Sequence, residues 1–129
     1  MEVRDLLSTE VESAQLLLCA HGWAHRIESL EWFAQLMKAS QRTAVAVDAG
    51  EVVGFARGIT DGLSSGYLSM VVVAPSHRGK GVGAALVKHI VGEGAGVTWV
   101  IRTGREGARE FFAKSGFVVS SVAMERVRV

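Results

Sequence analysis

Apolar residues recur at helical spacing in two stretches near the start of the chain. The first spans about residues 10–20, after a short strand pattern over residues 3–7, and the spacing of Thr9 and Glu12 predicts a capping box at its start. The second spans about residues 27–39, where the apolar positions are Ile27, Leu30, Phe33, Ala34 and Met37. Both patterns are typical of amphipathic helices with one buried face.

From residue 43 the pattern changes to short, nearly continuous apolar runs. Residues 44–47 and 52–57 flank the turn 48–51, which predicts a β-hairpin. A turn-rich loop over residues 60–66 leads to a third antiparallel strand over residues 67–73. Pro75 ends this strand because it has no N–H to donate.

The second half of the chain returns to alternating elements. We predict a helix over residues 81–91, a strand over 97–101 and a helix over 108–114, the last begun by a Thr103–Glu106 capping box and closed by Gly116 in a left-handed conformation. Residues 117–119 and 123–129 predict a closing pair of strands. Without repeats or linkers, residues 1–129 predict one α+β domain with a mostly antiparallel, mixed central sheet and about four flanking helices.

Composition and charge exclude more of the possible functions and partners than of the possible folds. A net charge of +1, with 49% hydrophobic and 21% charged residues, provides no broad field for nucleic acid or a membrane surface, so we expect neither partner. Cys19, the single cysteine, excludes a disulfide framework; its apolar neighbours predict a buried thiol and a reducing, cytoplasmic location. We expect no signal sequence or membrane span, since apolar runs fall short of about 20 residues.

A glycine-rich basic turn joins the third strand of the meander to the next helix. Gly79, Gly81 and Gly83 alternate with other residues, and Arg78 and Lys80 add positive charge. Glycines let backbone N–H groups approach a phosphate, and the helix start favours an anion. The spacing fits neither a Walker A loop nor a dinucleotide-binding fingerprint, and no metal is expected.

Two motifs in this order resemble the GNAT superfamily of acyl-CoA-dependent N-acyltransferases. The turn matches Q/R-x-x-G-x-G/A after a strand ending in V-x-P, here Val73-Ala74-Pro75 and then Arg78-Gly79-Lys80-Gly81-Val82-Gly83. A second block, with an aromatic pair before x-x-x-G-F, matches Ala108 followed by Phe111-Phe112 and Gly116-Phe117. The resemblance covers residues 52–117, about half of the chain.

The resemblance implies a single-domain fold whose sheet splays at the coenzyme A site. It implies that acetyl-CoA is the cosubstrate, and that an acetyl group passes to a primary amine of a small molecule or peptide by direct attack in a ternary complex. The strand before the turn would splay at a bulge and bind the pantetheine arm and thioester. Cofactor-binding positions would be Val71, Val72, Val73, Arg78, Gly79, Lys80, Gly81, Val82, Gly83, Ala84 and Phe112. Members often pair through their closing strands, so a homodimer is one option.

The chain departs from the family pattern where acid and base chemistry are expected. Phe112 replaces the tyrosine that commonly protonates the leaving thiolate, and Arg105 replaces an asparagine, with a phosphate contact or solvent as its alternatives. The Val71 N–H is our candidate for stabilising the oxyanion. Base candidates are Asp61 acting through a water, Tyr67, His21 and His25, each with a structural alternative. No base is needed if the acceptor amine has a low pKa or loses its proton to ordered water.

These observations leave two hypotheses for the function. The first is an N-acetyltransferase. The second is a non-catalytic CoA-binding module, which Phe112 and the missing strand carboxylate favour. A charged tRNA acceptor is disfavoured by the low net charge. The cluster His21, Trp23, His25 and Trp32 predicts either an acceptor wall suited to an apolar or aromatic amine, or aromatic packing at a helix corner.

Overall fold

A computed structural model describes residues 1–129 and shows five strands in one sheet, in the order β1-β2-β3-β4-β5. The first three neighbouring pairs are antiparallel and β4 pairs with β5 in parallel, so the predicted mixed, mostly antiparallel sheet is confirmed. The strands are β1 (Glu2–Asp5), β2 (Arg42–Asp48), β3 (Glu51–Thr60), β4 (Ser65–Val73) and β5 (Thr98–Ile101). The helices are α1 (Val11–Leu18), α2 (Leu30–Ala39), α3 (Val82–Val91) and α4 (Ala108–Ala113).

Apolar side chains cover both faces of the sheet. On one face Leu68 packs with Leu86 and other residues of α3 and α4; on the other Phe55 packs against Phe33 of α2, with ring centroids 6.0 Å apart. Small residues of β3 let α3 approach closely: a Cβ added at Gly58 would lie 2.5 Å from Ile90. The sheet is therefore the middle of three layers.

The predicted helices form, but both predicted capping boxes are wrong. At the first, the Glu10 carboxylate accepts from the Leu7 N–H at 2.9 Å and pairs with Arg4 at 2.8 Å. The acidic residue that binds a backbone N–H before α1 is therefore Glu10 and not Glu12. At α4 the N-cap is Gly107, with φ of 79° and no side-chain cap. Only α2 begins with a side-chain cap, in which Ser29 Oγ accepts from the Trp32 N–H at 3.1 Å.

The C-terminal part of the chain differs most from the sequence prediction. Gly116 has the predicted left-handed conformation, with φ of 91°, and the Phe117 N–H closes the end of α4 on the Phe112 carbonyl at 3.1 Å. Residues 117–129, however, form no strand, so the predicted closing pair is wrong, and Val118 and Val122 are exposed. Their alternation predicted strands, but no neighbouring segment pairs with them.

Two further observations concern Cys19 and the helices. The Cys19 thiol is half-buried instead of fully buried, because it lies just beyond α1, where Gln15 Nε2 lies 3.6 Å from its sulfur. None of the helices combines the length and the apolar character needed to cross a bilayer.

Candidate active site

A bulge in β4 opens the sheet. Arg57 of β3 lies opposite Ser69, but Phe55 lies opposite Val72, so β4 uses one more residue than β3 over this interval. The extra residue is accommodated at Met70, whose φ is 55°. On its other side β4 pairs with β5 only from Ser65 to Leu68. Beyond Leu68 this edge of β4 has no strand partner, which is the predicted splay.

The open edge of β4 forms one wall of a cavity of about 570 Å³, which we call the turn-side cavity. The glycine-rich turn and the aromatic pair of α4 form the other walls. Of the predicted cofactor-binding residues, the structure brings Val71, Val72, Val73, Arg78, Gly79, Gly81, Val82, Gly83, Ala84 and Phe112 to this cavity. Lys80 is the exception, because its side chain is exposed and lies outside the lining.

The turn presents a row of backbone donors. No N–H from Gly79 to Ala84 donates a well-formed hydrogen bond within the protein, and α3 has no side-chain cap. Gly79 and Gly81 have φ of 77° and 83°, and a Cβ at either would meet no atom within 4 Å. Free N–H groups at the positive end of a ten-residue helix suit a diphosphate. The turn therefore fits the diphosphate of coenzyme A.

Side chains around the turn hold it in place. Arg78 Nε donates to the Val73 carbonyl at 2.9 Å. His77 Nε2 lies 2.8 Å from Asp48 Oδ2, and His77 Nδ1 lies 2.7 Å from Ser76 Oγ. His77 lowers the pKa of the Asp48 carboxyl, first through this hydrogen bond. Sequence reasoning missed the Asp48–His77 contact, since no spacing rule joins a hairpin turn to a residue 29 positions later.

A second cavity, of about 660 Å³, lies on the α2 side of β4, and we call it the helix-side cavity. The residues after α1, together with α2, β3, β4 and the segment after β5, contribute to its lining. Four residues line both cavities: Val71, Arg105, Ala108 and Phe112. The two cavities therefore meet at the bulged part of β4.

Phe112 forms the partition between the cavities. Its ring is buried and packs edge-on against Phe111, at 4.8 Å between centroids, and against Phe117 at 5.8 Å. A Cβ at Gly83 would come within 2.6 Å of Phe111, so this glycine lets α3 and α4 approach. The aromatic packing places an apolar surface, with no proton donor, beside Val71.

The four side chains that the sequence offered as a base lie in three different places. Tyr67 lines the helix-side cavity, and its burial raises the pKa of its hydroxyl. His25 lines the same cavity, whereas His21 lines the turn-side cavity. The structure does not bring Asp61 to either cavity. Its Oδ1 accepts from the N–H groups of Leu63 and Ser64, both at 2.8 Å, and these bonds lower its pKa, so it stabilises the β3–β4 turn.

Arg105 is exposed, as its solvent alternative predicts, and it also makes contacts that neither alternative included. Its guanidinium donates to the carbonyls of His21 and Gly22, at 3.2 and 2.7 Å, and lies 4.0 Å from the Trp23 ring centroid. These contacts fix the corner that follows α1, where Gly22 has φ of 98°. Of the predicted cluster, Trp23, His25 and Trp32 line the helix-side cavity, whereas His21 lines the turn-side cavity.

The domain therefore combines a mixed sheet, splayed between β4 and β5, with an open, amide-lined turn. Residues 39–119 match the family model of the acetyltransferase (GNAT) domain. The chain belongs to this family of acetyltransferases. No curated protein matches the sequence significantly.

Solved structures share the whole fold. An acetyltransferase from Trypanosoma brucei is 26% identical, with a TM-score of 0.71 and 99% of each chain covered. A GNAT family protein from Streptococcus pneumoniae is 25% identical, with a TM-score of 0.76, and the match covers 99% of this chain and 95% of that one. A ribosomal-protein-alanine N-acetyltransferase from Brucella melitensis shares the fold at 17% identity, with a TM-score of 0.78 and coverage of 99% and 98%.

Proposed function

We propose that the protein transfers the acetyl group of acetyl-CoA to a primary amine of a small molecule or peptide, by direct attack in a ternary complex. The observation that carries this proposal is the meeting of the two cavities at Val71 and Phe112. One cavity has the amide-lined turn that suits the cofactor diphosphate. The other has room for an acceptor and reaches the same stretch of β4.

The chain's own groups divide the work between binding and positioning. When bound, acetyl-CoA supplies an acetyl group activated as a thioester. The turn amides would hold its diphosphate, and the open edge of β4 would hold its pantetheine arm. The Val71 N–H is the candidate donor to the thioester oxygen, where negative charge develops during attack. Loss of such a donor costs on the order of 3–4 kcal/mol in the barrier.

Proton transfer does not depend on a carboxylate here. No Asp or Glu lines the helix-side cavity, whereas five arginines do. Positive surroundings lower the pKa of an amine, which favours the neutral, nucleophilic form. Tyr67 stays protonated at neutral pH because its pKa is raised, so it suits hydrogen-bond donation and not the role of base. A thiolate, whose conjugate acid has a pKa near 8.5, leaves without obligatory protonation.

The second candidate function is a non-catalytic CoA-binding module. Two observations favour it: Phe112 provides no proton donor, and no carboxylate lines the helix-side cavity. The two functions share the turn-side cavity. They differ in whether the helix-side cavity receives an amine.

Thiol release separates the two functions. Purified protein is mixed with acetyl-CoA and a panel of amines, free thiol is followed with a colorimetric reagent, and CoA affinity is measured by calorimetry. Amine-dependent thiol release with an acetylated product supports the transferase. Micromolar CoA binding with no thiol release across a broad panel supports the binding module. Absence of CoA binding contradicts both.

A further inference from the structure

Arg57 is a buried cation without an anionic partner. It lies on β3 and is only 9% exposed. Its Nε donates to Ser40 Oγ at 2.7 Å, and Ser40 Oγ in turn donates to the Leu36 carbonyl at 2.6 Å. No carboxylate forms an ion pair with it, and its terminal Nη nitrogens, which have no acceptor within the protein, are not fully buried. Its side chain lines the helix-side cavity.

This arrangement is energetically unusual. Buried charges in proteins are normally paired, since removing an ion from water costs several kcal/mol. Desolvation correspondingly lowers the pKa of Arg57. Two of the other arginines of the cavity are already engaged, since Arg102 pairs with Glu125 at 2.6 Å and Arg105 donates to backbone carbonyls. Arg26 is half-buried and Arg128 is exposed, so Arg57 is the most buried cation of the cavity. Arg57 is anchored at Nε, and both Nη groups remain available to a ligand.

We propose that Arg57 binds a carboxylate of the acceptor, so that the acceptor is an amino-acid-like molecule bearing both a primary amine and a carboxylate. This inference rests on the proposed function and names its substrate class. Two Nη donors in one plane match the two oxygens of a carboxylate. The carboxylate of the acceptor would supply the negative charge that the lining of the helix-side cavity lacks.

The register places this subsite at a suitable distance from the reacting centre. Arg57 lies opposite Ser69, two residues before Val71 on β4. Two residues of strand span at most roughly 6–7 Å, and less across the bulge at Met70, so a carboxylate held by Arg57 and an amine near Val71 can belong to one small molecule. Trp32 and Tyr67 add aromatic surface to the same cavity, so an apolar or aromatic side chain fits beside them.

The first test compares acceptors that differ only in the carboxylate. We use three pairs: phenylalanine with phenethylamine, tryptophan with tryptamine, and leucine with isoamylamine. For at least one pair kcat/KM should favour the amino acid by about tenfold or more, the size expected for a charged hydrogen bond. Arg57→Met should abolish the preference, and Arg57→Lys should retain part of it. Arg109→Gln, which removes an exposed charge outside both cavities, is the control and should leave the preference unchanged.

The second test needs no acetyl transfer. CoA-saturated protein is titrated in a calorimeter with 3-phenylpropionate, its uncharged amide and phenyl phosphate. Tighter binding of the acid than of the amide, lost in Arg57→Met, supports the carboxylate subsite. Equal binding of acid and amide overturns it, as does Arg57-dependent binding that is tighter for phenyl phosphate. If no amine is acetylated but the acid still binds through Arg57, the proposed function fails and the anion subsite stands.

Arg57→Met removes a buried side chain, so its folding is checked by its melting temperature and CoA affinity. Ser40→Ala provides a second variant, because it keeps the charge and removes only the acceptor that orients Nε. We expect it to weaken 3-phenylpropionate binding about threefold or more without changing CoA affinity. Unchanged affinity for the acid in Ser40→Ala, together with equal binding of acid and amide by the unaltered protein, would refute the subsite.

Discussion

Tyr67 is the single tyrosine of the chain and the one phenol available to the helix-side cavity. Burial disfavours its ionised form, while Arg102 and other nearby cations partly offset the effect. The net result is a raised pKa. At neutral pH Tyr67, which lies on β4, therefore offers a hydrogen-bond donor. The family pattern places its phenol at a different position, which is Phe112 in this chain.

We predict that Tyr67 ionises above pH 10 in the folded protein. Absorbance at 295 nm reports tyrosinate, and with one tyrosine the signal is unmixed. Because the folded pKa is raised above the unfolded value near 10, the associated stabilisation is complete below pH 10 and is lost as pH rises through the folded pKa. The melting temperature should decline over the same range. Tyr67→Phe should show no tyrosinate transition, and a midpoint at or below 10 would contradict the prediction.

A substitution at Gly81 tests whether the glycine-rich turn binds the diphosphate. Gly81→Glu places a carboxylate where the diphosphate would lie, and we expect CoA affinity to fall at least a hundredfold in calorimetry. Any side chain here is strained, since φ is 83° and the left-handed conformation costs roughly 1–2 kcal/mol. Gly81→Asn is the matched control, because asparagine tolerates this conformation and adds no charge. Similar CoA affinities in the two variants would argue against the cradle.

Sequence patterns located the residues of the turn-side cavity better than those of the helix-side cavity. The turn is contiguous in sequence, so residues 79–84 share one local geometry that glycine spacing reveals. Arg57 carried no such signal, because its burial depends on α2 covering β3. The contacts of Arg105 were also missed, since its partners at His21 and Gly22 come from a segment more than 80 residues earlier.

At the scale of elements, the glycine-rich turn is held by the β2–β3 hairpin. His77, just before the turn, contacts Asp48 at the end of β2, and Arg78 holds the end of β4. The turn has no other side-chain anchor from a neighbouring strand. The preorganisation of its N–H groups therefore depends on these contacts.

We predict that Asp48→Ala weakens CoA binding about three- to tenfold, the effect of losing one hydrogen bond, with little change in melting temperature. Asp48→Asn keeps an oxygen acceptor and should lie between. Since His77 lowers the pKa of Asp48 below the ordinary aspartate value, the carboxylate stays ionised at neutral and mildly acidic pH, and CoA affinity should not weaken through Asp48 over that range. Glu51→Ala, on the same hairpin without a side-chain partner, is the control. Equal losses in both alanine variants would contradict the role of Asp48.

The type of each helix or strand was predictable where apolar periodicity was strong. The residues at which these elements begin and end were not predictable. The meander, α2 and α3 follow from their patterns. Both capping boxes failed for local reasons: Glu10 is engaged by Arg4, and glycine at 107 starts α4 without a side-chain cap. The closing strands failed for a different reason. Alternation shows that a segment can pair, but it does not supply the partner strand.

For the whole molecule, the outer edge of β5 and the exposed C-terminal segment are unpaired. β5 is the last strand of the sheet, so its outer backbone groups have no strand partner. Residues 118–129 expose apolar side chains, among them Val118, Val122 and Met124, which are 89–96% exposed. Burying one such side chain fully is worth about 1.5–3 kcal/mol. Pairing of this segment between two copies would satisfy both the edge and the apolar groups.

We therefore predict a homodimer, with a mass of twice 13.8 kDa by light scattering at about 100 µM. Replacing Val118, Val122 and Met124 together by lysine should give the monomer, because like charges would face each other across the pair. Leu63→Lys is the control, since Leu63 is also exposed, at 82%, but lies in the β3–β4 loop. CoA affinity should stay unchanged in the triple variant, because these side chains lie outside the turn-side cavity. A monomer at every concentration of the unaltered chain would refute this mode of assembly.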